Sequence, residues 1–161
     1  MTKIAIVTIY GNDNFGNKLQ NLALQVRKYN HILDKISKVA PELKFEALRG
    51  LTQEQLIEKY ETSKLYIDFG AFPGAERIPK EAVLFGCAVI TGKRGASGFH
   101  EDVPIPEEYK FGKPKKINEI VEKIRYVLKN YEKVNSDFDE YRNTVLNLEE
   151  NFIRSLKQIF L

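Results

Sequence analysis

Apolar residues along this chain fall into short runs, separated by longer stretches in which apolar and polar positions are mixed. Three of the runs, Lys3–Tyr10, Leu65–Phe69 and Cys87–Ile90, are almost continuously apolar. Such runs are typical of strands that are buried on both faces of a parallel sheet. A weaker, alternating run at Leu43–Leu48 indicates a further strand nearer the sheet edge.

Apolar positions three and four residues apart predict helices between these strands. Thr52 and Gln55 have the spacing of a capping box, in which each side chain accepts a hydrogen bond from the backbone of the other residue. The helices expected in this half of the chain are residues 17–40, 52–63 and 78–85.

The chain beyond the third apolar run is organised differently. Thr91–Lys116 has little periodicity and many Gly, Pro and charged residues, so it is expected to be a long loop. Two amphipathic helices are expected within residues 117–160, the first at Ile117–Tyr131 and the second beginning at about Phe138.

This order of elements predicts an α/β fold. The expectation is a single Rossmann-like parallel sheet flanked by helices, with two C-terminal helices, in one domain over residues 1–161.

Composition narrows the class of protein. The formal net charge of +3 is too small to argue for a nucleic-acid partner, and no apolar run approaches the roughly 20 residues that a membrane span needs. The single cysteine, Cys87, forms no intrachain disulfide, and its apolar surroundings in the sequence predict a buried thiol. These features predict a cytoplasmic protein.

A small basic cluster lies late in the long loop, at Lys110, Lys113, Lys115 and Lys116. It is interpreted as a solvated approach to the next helix, and the alternative is peripheral contact with anionic lipid at the inner membrane face.

Residues 66–95 are the part of the chain that points most directly to a function. They predict the order strand, loop, helix, strand, loop, and ligands of open α/β sheets bind where loops leave the carboxyl ends of strands. Glu81 is predicted to lie in the first turn of the helix, where it could accept hydrogen bonds from a vicinal diol such as a ribose. The alternative is a carboxylate that only complements the helix dipole.

The two loops of this stretch carry the remaining candidate residues. In the first, Gly74 allows a close approach to the backbone and Arg77 suits a phosphate, although Arg77 could simply pair with Glu76. In the second, Lys93 and Arg94 stand among glycines that could cradle a phosphate, and the alternative is a surface turn.

Two other kinds of site are not expected. The turn at residues 11–18 lacks the spacing of a nucleoside-triphosphate loop, because Asn17 separates Gly16 from Lys18. His31 and His100 have no nearby ligands at metal spacing, so no metal cofactor is expected.

Residues 31–111 resemble the nucleotide-sugar-binding, C-terminal half of glycosyltransferases with the GT-B fold. The closest likeness is the run DFGAFPGAERIPKEA, and the positions that match the wider family pattern are Gly74, Glu81, Ala82, Gly86, Val89 and Ile90. The resemblance implies a nucleotide sugar as donor substrate, a ribose held by Glu81 and a diphosphate near the preceding loop. Pro73 departs from the family, since many members have a carboxylate there.

The resemblance also implies what is missing. A GT-B enzyme has two such domains and this chain has room for one, so a second subunit or domain would have to supply the acceptor site.

Residues 3–25 resemble the beginning of polysaccharide pyruvyl transferases, which places a composite junction near residues 26–29. The residues that carry this match are Ile6, Asn14, Phe15, Gly16, Leu19, Gln20, Ala23, Leu24 and Gln25. Both families act in bacterial surface polysaccharide synthesis. The open alternatives to a donor-binding domain are therefore a pyruvyl transferase-like enzyme that uses phosphoenolpyruvate, and a non-catalytic interaction domain derived from a glycosyltransferase.

Overall fold

The computed structural model describes residues 4–5, 32–43, 45–46, 48, 50–74, 76–112 and 117–160. Over these residues the chain has an α/β fold built on small parallel sheets. The strands are β1 (Ile4–Ala5), β2 (Phe45–Glu46), β3 (Leu65–Asp68), β4 (Ala88–Gly92) and β5 (Lys110–Phe111).

The larger sheet contains three parallel strands in the order β3, β4, β5. Strands β3 and β4 are buried along their whole length, which explains why their sequences read as continuous apolar runs. Strands β1 and β2 form a separate parallel pair, and β1 also lies close to β3.

Seven helices accompany these strands in the described part of the chain. Residues 32–39 are helical and are labelled α1. The other helices are α2 (Gln53–Glu61), α3 (Arg77–Leu84), α4 (Ile117–Lys129), α5 (Tyr131–Val134), α6 (Asp139–Leu146) and α7 (Leu148–Phe160).

Local sequence signals explain where α2 begins. The Thr52 hydroxyl accepts from the Gln55 amide at 3.3 Å, and the Gln55 side chain accepts from the Thr52 amide at 2.9 Å. The predicted capping box is therefore confirmed. On its inner face α2 buries Leu56 and Tyr60 against the core.

Two expectations need correction. The stretch predicted to be one long loop contains β5 and two 3-10 turns, Ala96–Gly98 and Glu107–Tyr109. A strand of two residues leaves no periodic signal, so only its pairing with β4 identifies it.

Residues 117–160 also contain more helical segments than the two that the sequence predicts. A 3-10 turn at Asn135–Phe138 follows α5, and Asn147 separates α6 from α7. The interruption before Phe138 agrees with the predicted gap between two helices, whereas the apolar spacing continues through Asn147 and does not reveal the division of α6 from α7.

Some predictions fall outside the described residues. They are the remainder of the first strand, the turn at 11–18, the helix before residue 32 and the junction near 26–29. Among the helices that the structure describes, none is both long and apolar enough to cross a bilayer.

Candidate functional site

The carboxyl edge of the three-stranded sheet carries a row of polar residues. Asp68 is paired with Thr91, and Thr91 is paired with Lys110, one residue from each of three neighbouring strands. All three are buried, with exposed fractions of 1%, 0% and 5%. Burial of a polar side chain costs free energy unless a hydrogen bond compensates it.

Asp68 holds the turn that follows β3. One carboxylate oxygen accepts a 2.6 Å hydrogen bond from the Gly70 amide, and the other accepts a 3.0 Å bond from the Tyr66 hydroxyl. A side chain at Gly70 would collide with this carboxylate, because an added Cβ would lie 2.8 Å from Oδ1. The carboxylate and the glycine together define how the chain leaves the sheet.

Thr91 lies at the centre of the row, and it differs from Asp68 and Lys110 in its side-chain hydrogen bonds. Its hydroxyl oxygen is buried and has no hydrogen-bond partner among the residues that the structure describes. A buried hydroxyl without a partner costs free energy.

Lys110 closes the row on the side of β5. Its ammonium donates to the Phe99 carbonyl at 3.2 Å, and burial lowers the pKa of the amine. The expectation of a solvated basic cluster is thus wrong for Lys110, and the other three lysines of that cluster lie outside the described residues. Nearby, Lys93 forms an ion pair with Glu107, which lowers the pKa of that carboxyl.

The loops after β3 and β4 are joined to each other above this edge. The Phe72 amide donates to the Arg94 carbonyl at 3.0 Å, and the Ala96 amide donates to the Phe72 carbonyl at 2.9 Å. Gly95 lies between them with a φ of 66°, and an added Cβ would lie 2.0 Å from the Phe72 oxygen. Only glycine fits this junction.

The second loop uses several of its amides internally. The Arg94 amide donates to the Ser97 hydroxyl at 3.2 Å, and the Gly98 amide donates to the Gly95 carbonyl at 3.0 Å. A phosphate cradle made from these amides would require the loop to rearrange. Lys93 and Arg94 are the exposed cations of this loop, and the Lys93 ammonium is paired with Glu107.

Glu81 does not lie where the sequence placed it. Helix α3 begins at Arg77 and has no acidic residue in its first turn, so Glu81 is the fifth residue and lies in the second turn. Pro79 is the third residue, where its missing amide costs nothing because the first amides of a helix have no intrahelical partner. The prediction of a first-turn carboxylate is therefore wrong: the helix begins one residue earlier than expected, and Glu81 lies just inside the second turn.

Glu81 is a candidate ligand group, and its side chain also takes part in the packing of the domain. Its side chain is 21% exposed and contacts the Arg77 guanidinium at 3.3 Å and the Tyr60 hydroxyl at 3.3 Å. Burial, and then the negative charge of Glu81, raise the pKa of Tyr60, which keeps its phenol protonated as the donor. Tyr60 also stacks on Phe85, with 5.7 Å between ring centroids.

The remaining candidates border the first loop. Gly74 is exposed, and nothing lies within 4 Å of a Cβ built on it, so a ligand could approach its backbone. Glu76 is the N-cap residue of α3 but its side chain makes no capping hydrogen bond. The structure pairs Arg77 with Glu81 along the helix, where the sequence had offered Glu76 as its partner.

His100 and the other residue types that can bind a metal ion complete the description of the site. His100 contacts Glu140 of α6 at 2.9 Å and so connects the second loop to the C-terminal helices. Within the described residues, no cluster of three or more His, Cys, Asp or Glu side chains is arranged to hold a metal ion.

The sequence reading missed the polar row. Asp68 interrupts an otherwise apolar run just before Gly70, and that interruption was a usable signal. Thr91 and Lys110 gave none, because their significance depends on strand pairing.

Comparison of the chain with protein-family models, with curated protein sequences and with solved structures finds no match.

Proposed function

We propose that this protein binds a nucleotide sugar at the carboxyl edge of its three-stranded sheet, as a glycosyltransferase-like domain in bacterial surface polysaccharide synthesis. One observation carries the proposal. The loops that leave two adjacent parallel strands are joined by backbone hydrogen bonds at Phe72, the second of them carries the exposed cations Lys93 and Arg94, and the helix after the first begins with exposed Arg77. Loops at this edge are where open α/β sheets bind their ligands.

The ligand class follows from the groups on these loops. Guanidinium and ammonium groups suit a diphosphate, which is the charged part of a nucleotide sugar. In a transfer reaction they would stabilise the negative charge that develops on the leaving diphosphate, without a need for a metal ion. The acceptor would come from another subunit or domain.

Two carboxylates are candidates for the group that binds the ribose. The resemblance to GT-B enzymes points to Glu81, and the start of α3 points to Glu76, the N-cap residue. Hydroxyls of a ribose that bind Glu81 would displace Tyr60 or Arg77 from that carboxylate.

The wider fold assignment belongs to the same proposal. The closeness of β1 to β3 supports a Rossmann-like sheet in the order β2, β1, β3, β4, β5, which would extend the carboxyl edge on both sides of β3. A cytoplasmic location goes with it. The pyruvyl transferase alternative depends on residues 3–25, which lie almost entirely outside the described part of the chain.

Calorimetric titration of the protein with UDP, GDP and phosphoenolpyruvate tests the function. We expect binding of one of the two nucleotides, and weaker binding by Arg94→Ala and Lys93→Ala. Arg125→Ala is the matched control, because Arg125 is an exposed cation on α4 that pairs with Glu42. Binding of phosphoenolpyruvate alone would favour the pyruvyl transferase alternative, and no binding of any of the three would contradict the proposal.

The ribose ligand is identified by a comparison of ribonucleotide with 2′-deoxyribonucleotide. A protein that holds the ribose with a carboxylate prefers the ribonucleotide, and the Glu→Gln variant at the true ligand loses that preference. Glu76→Gln and Glu81→Gln are matched variants for this measurement. If both variants keep the preference for the ribonucleotide, neither carboxylate is the ribose ligand.

A further inference from the structure

Helix α7 differs from every other helix of eight or more residues in the described structure, because all of its described side chains are exposed. Its apolar residues share this exposure: Leu148 is 41% exposed, Phe152 64% and Ile153 44%. Leu146, at the end of α6, is 69% exposed. Helix α7 therefore has an apolar face that no described residue of this chain covers.

A helix of this kind is not expected to persist alone. It has 13 residues, and isolated helices of about this length are marginal in water, because most helix stability in proteins comes from packing of an apolar face. Within the described residues, α7 contacts α6, the helix that precedes it. Its stability therefore calls for another surface.

The charges of α7 indicate what that surface is. Glu149 and Glu150 lie in its first turn, whereas Arg154 and Lys157 lie further along, so the helix carries no net charge but has an acidic start and a basic end. A helix that binds membrane surfaces is typically rich in Lys and Arg, which α7 is not. An acidic start and a basic end complement each other when two identical helices run antiparallel.

We propose that α7 is the interface of a homodimer in which two copies of the helix pack antiparallel through their apolar faces. The helix is about 20 Å long at 1.5 Å per residue, and a two-fold axis near Ile153 brings Phe152 of both copies to the centre. Glu150 pairs with Arg154 inside its own helix at 2.9 Å. Glu149 of one copy therefore faces Lys157 of the other.

The first test is sedimentation of the full chain over a wide range of concentrations. We expect the mass to change from monomer to dimer as the concentration rises, and Phe152→Glu to raise the midpoint concentration at least about 30-fold. Phe99→Glu is the matched control, because Phe99 is 61% exposed but lies on the loop after β4. It should associate like the original chain. Circular dichroism checks that both variants remain folded.

The second test addresses the direction of packing. Glu149→Lys places two lysines opposite each other in an antiparallel pair, and Lys157→Glu places two glutamates opposite each other, so each variant alone should dimerise more weakly at low salt. An equimolar mixture restores both charge pairs and should dimerise again. Equal dimerisation of all three samples would overturn the antiparallel arrangement.

The proposal is overturned by a chain that stays monomeric at every concentration. Co-sedimentation of such a monomer with vesicles of anionic phospholipid would show that the apolar face meets a membrane. Nucleotide binding and dimerisation are measured separately, so failure of one leaves the other standing.

Discussion

Tyr60 donates a hydrogen bond to Glu81 across the interface of α2 and α3, with 3.3 Å between the phenol oxygen and Oε2. The contact joins the end of one helix to the second turn of the next, and the ring beneath it is fully buried. Glu81 thus helps to pack the domain, whatever ligand it meets. A loss of affinity in a Glu81 variant has to be read together with the stability of that variant.

Tyr60→Phe is expected to lower the free energy of unfolding by about 0.5–1 kcal/mol, because it removes this long hydrogen bond but keeps the stacking on Phe85. Urea denaturation measures the change. Tyr126→Phe is the control, since Tyr126 is 44% exposed and its hydroxyl can bond to water, so it should be neutral. Equal stability of the two variants would show that the contact contributes nothing.

Gly95→Ala is expected to destabilise the protein by about 2 kcal/mol or more, because the added Cβ collides with the Phe72 carbonyl at a positive φ. Gly74→Ala should stay within about 0.5 kcal/mol of the original chain, since the space around Gly74 is open. The same Gly74 variant should bind nucleotide more weakly if the ligand approaches that backbone. Urea denaturation and calorimetry separate the two effects, and similar stabilities of both variants would contradict the loop junction.

Thr91→Val is expected to raise the free energy of unfolding by about 1 kcal/mol, because valine has nearly the same shape and lacks the hydroxyl that has no partner among the described residues. Thr91→Ser keeps that hydroxyl and leaves a methyl-sized void, so it should be less stable than the original chain. Thermal and urea unfolding both report this order. A marked loss of stability in Thr91→Val would mean that the hydroxyl has a partner in solution.

The buried thiol of Cys87 should make the free energy of unfolding depend on pH in the alkaline range. Burial raises the pKa of its thiol from 9.0 to about 12, so above pH 9.0 the unfolded chain releases a proton that the folded chain keeps. Stability from this group is complete below pH 9.0 and is lost as the pH rises towards 12, at up to about 1.4 kcal/mol per pH unit.

Cys87→Ala lacks this proton, so the stability difference between the original chain and the variant should shrink above pH 9.0. Denaturation in reducing buffer at neutral and alkaline pH measures the difference. Tyrosines whose pKa is raised occur in both proteins and cancel. A difference that does not change with pH would mean that the thiol is not shielded in the folded state.

The candidate site was partly accessible to sequence reasoning. The strand and helix order of residues 66–95 and the positions of its glycines and cations could be found from local patterns, since buried strands and helix starts have compositional causes within a few residues. The start of this helix was placed one residue too late, because Pro79 is compatible with any of the first positions of a helix, and Glu81 therefore lies in the second turn. Its contact with Tyr60 joins residues 21 apart and has no local signal.

The sequence by itself determined the α/β class, the buried strands β3 and β4, the capping box of α2 and the buried thiol, because each depends on burial or hydrogen bonds within one short segment. Only the tertiary structure decided that Asp68, Thr91 and Lys110 form one row and that the loops after β3 and β4 are joined at Phe72. It also decided that strand β5 exists at all. These features arise from pairing between distant segments, and the free energy of such pairing belongs to neither segment alone.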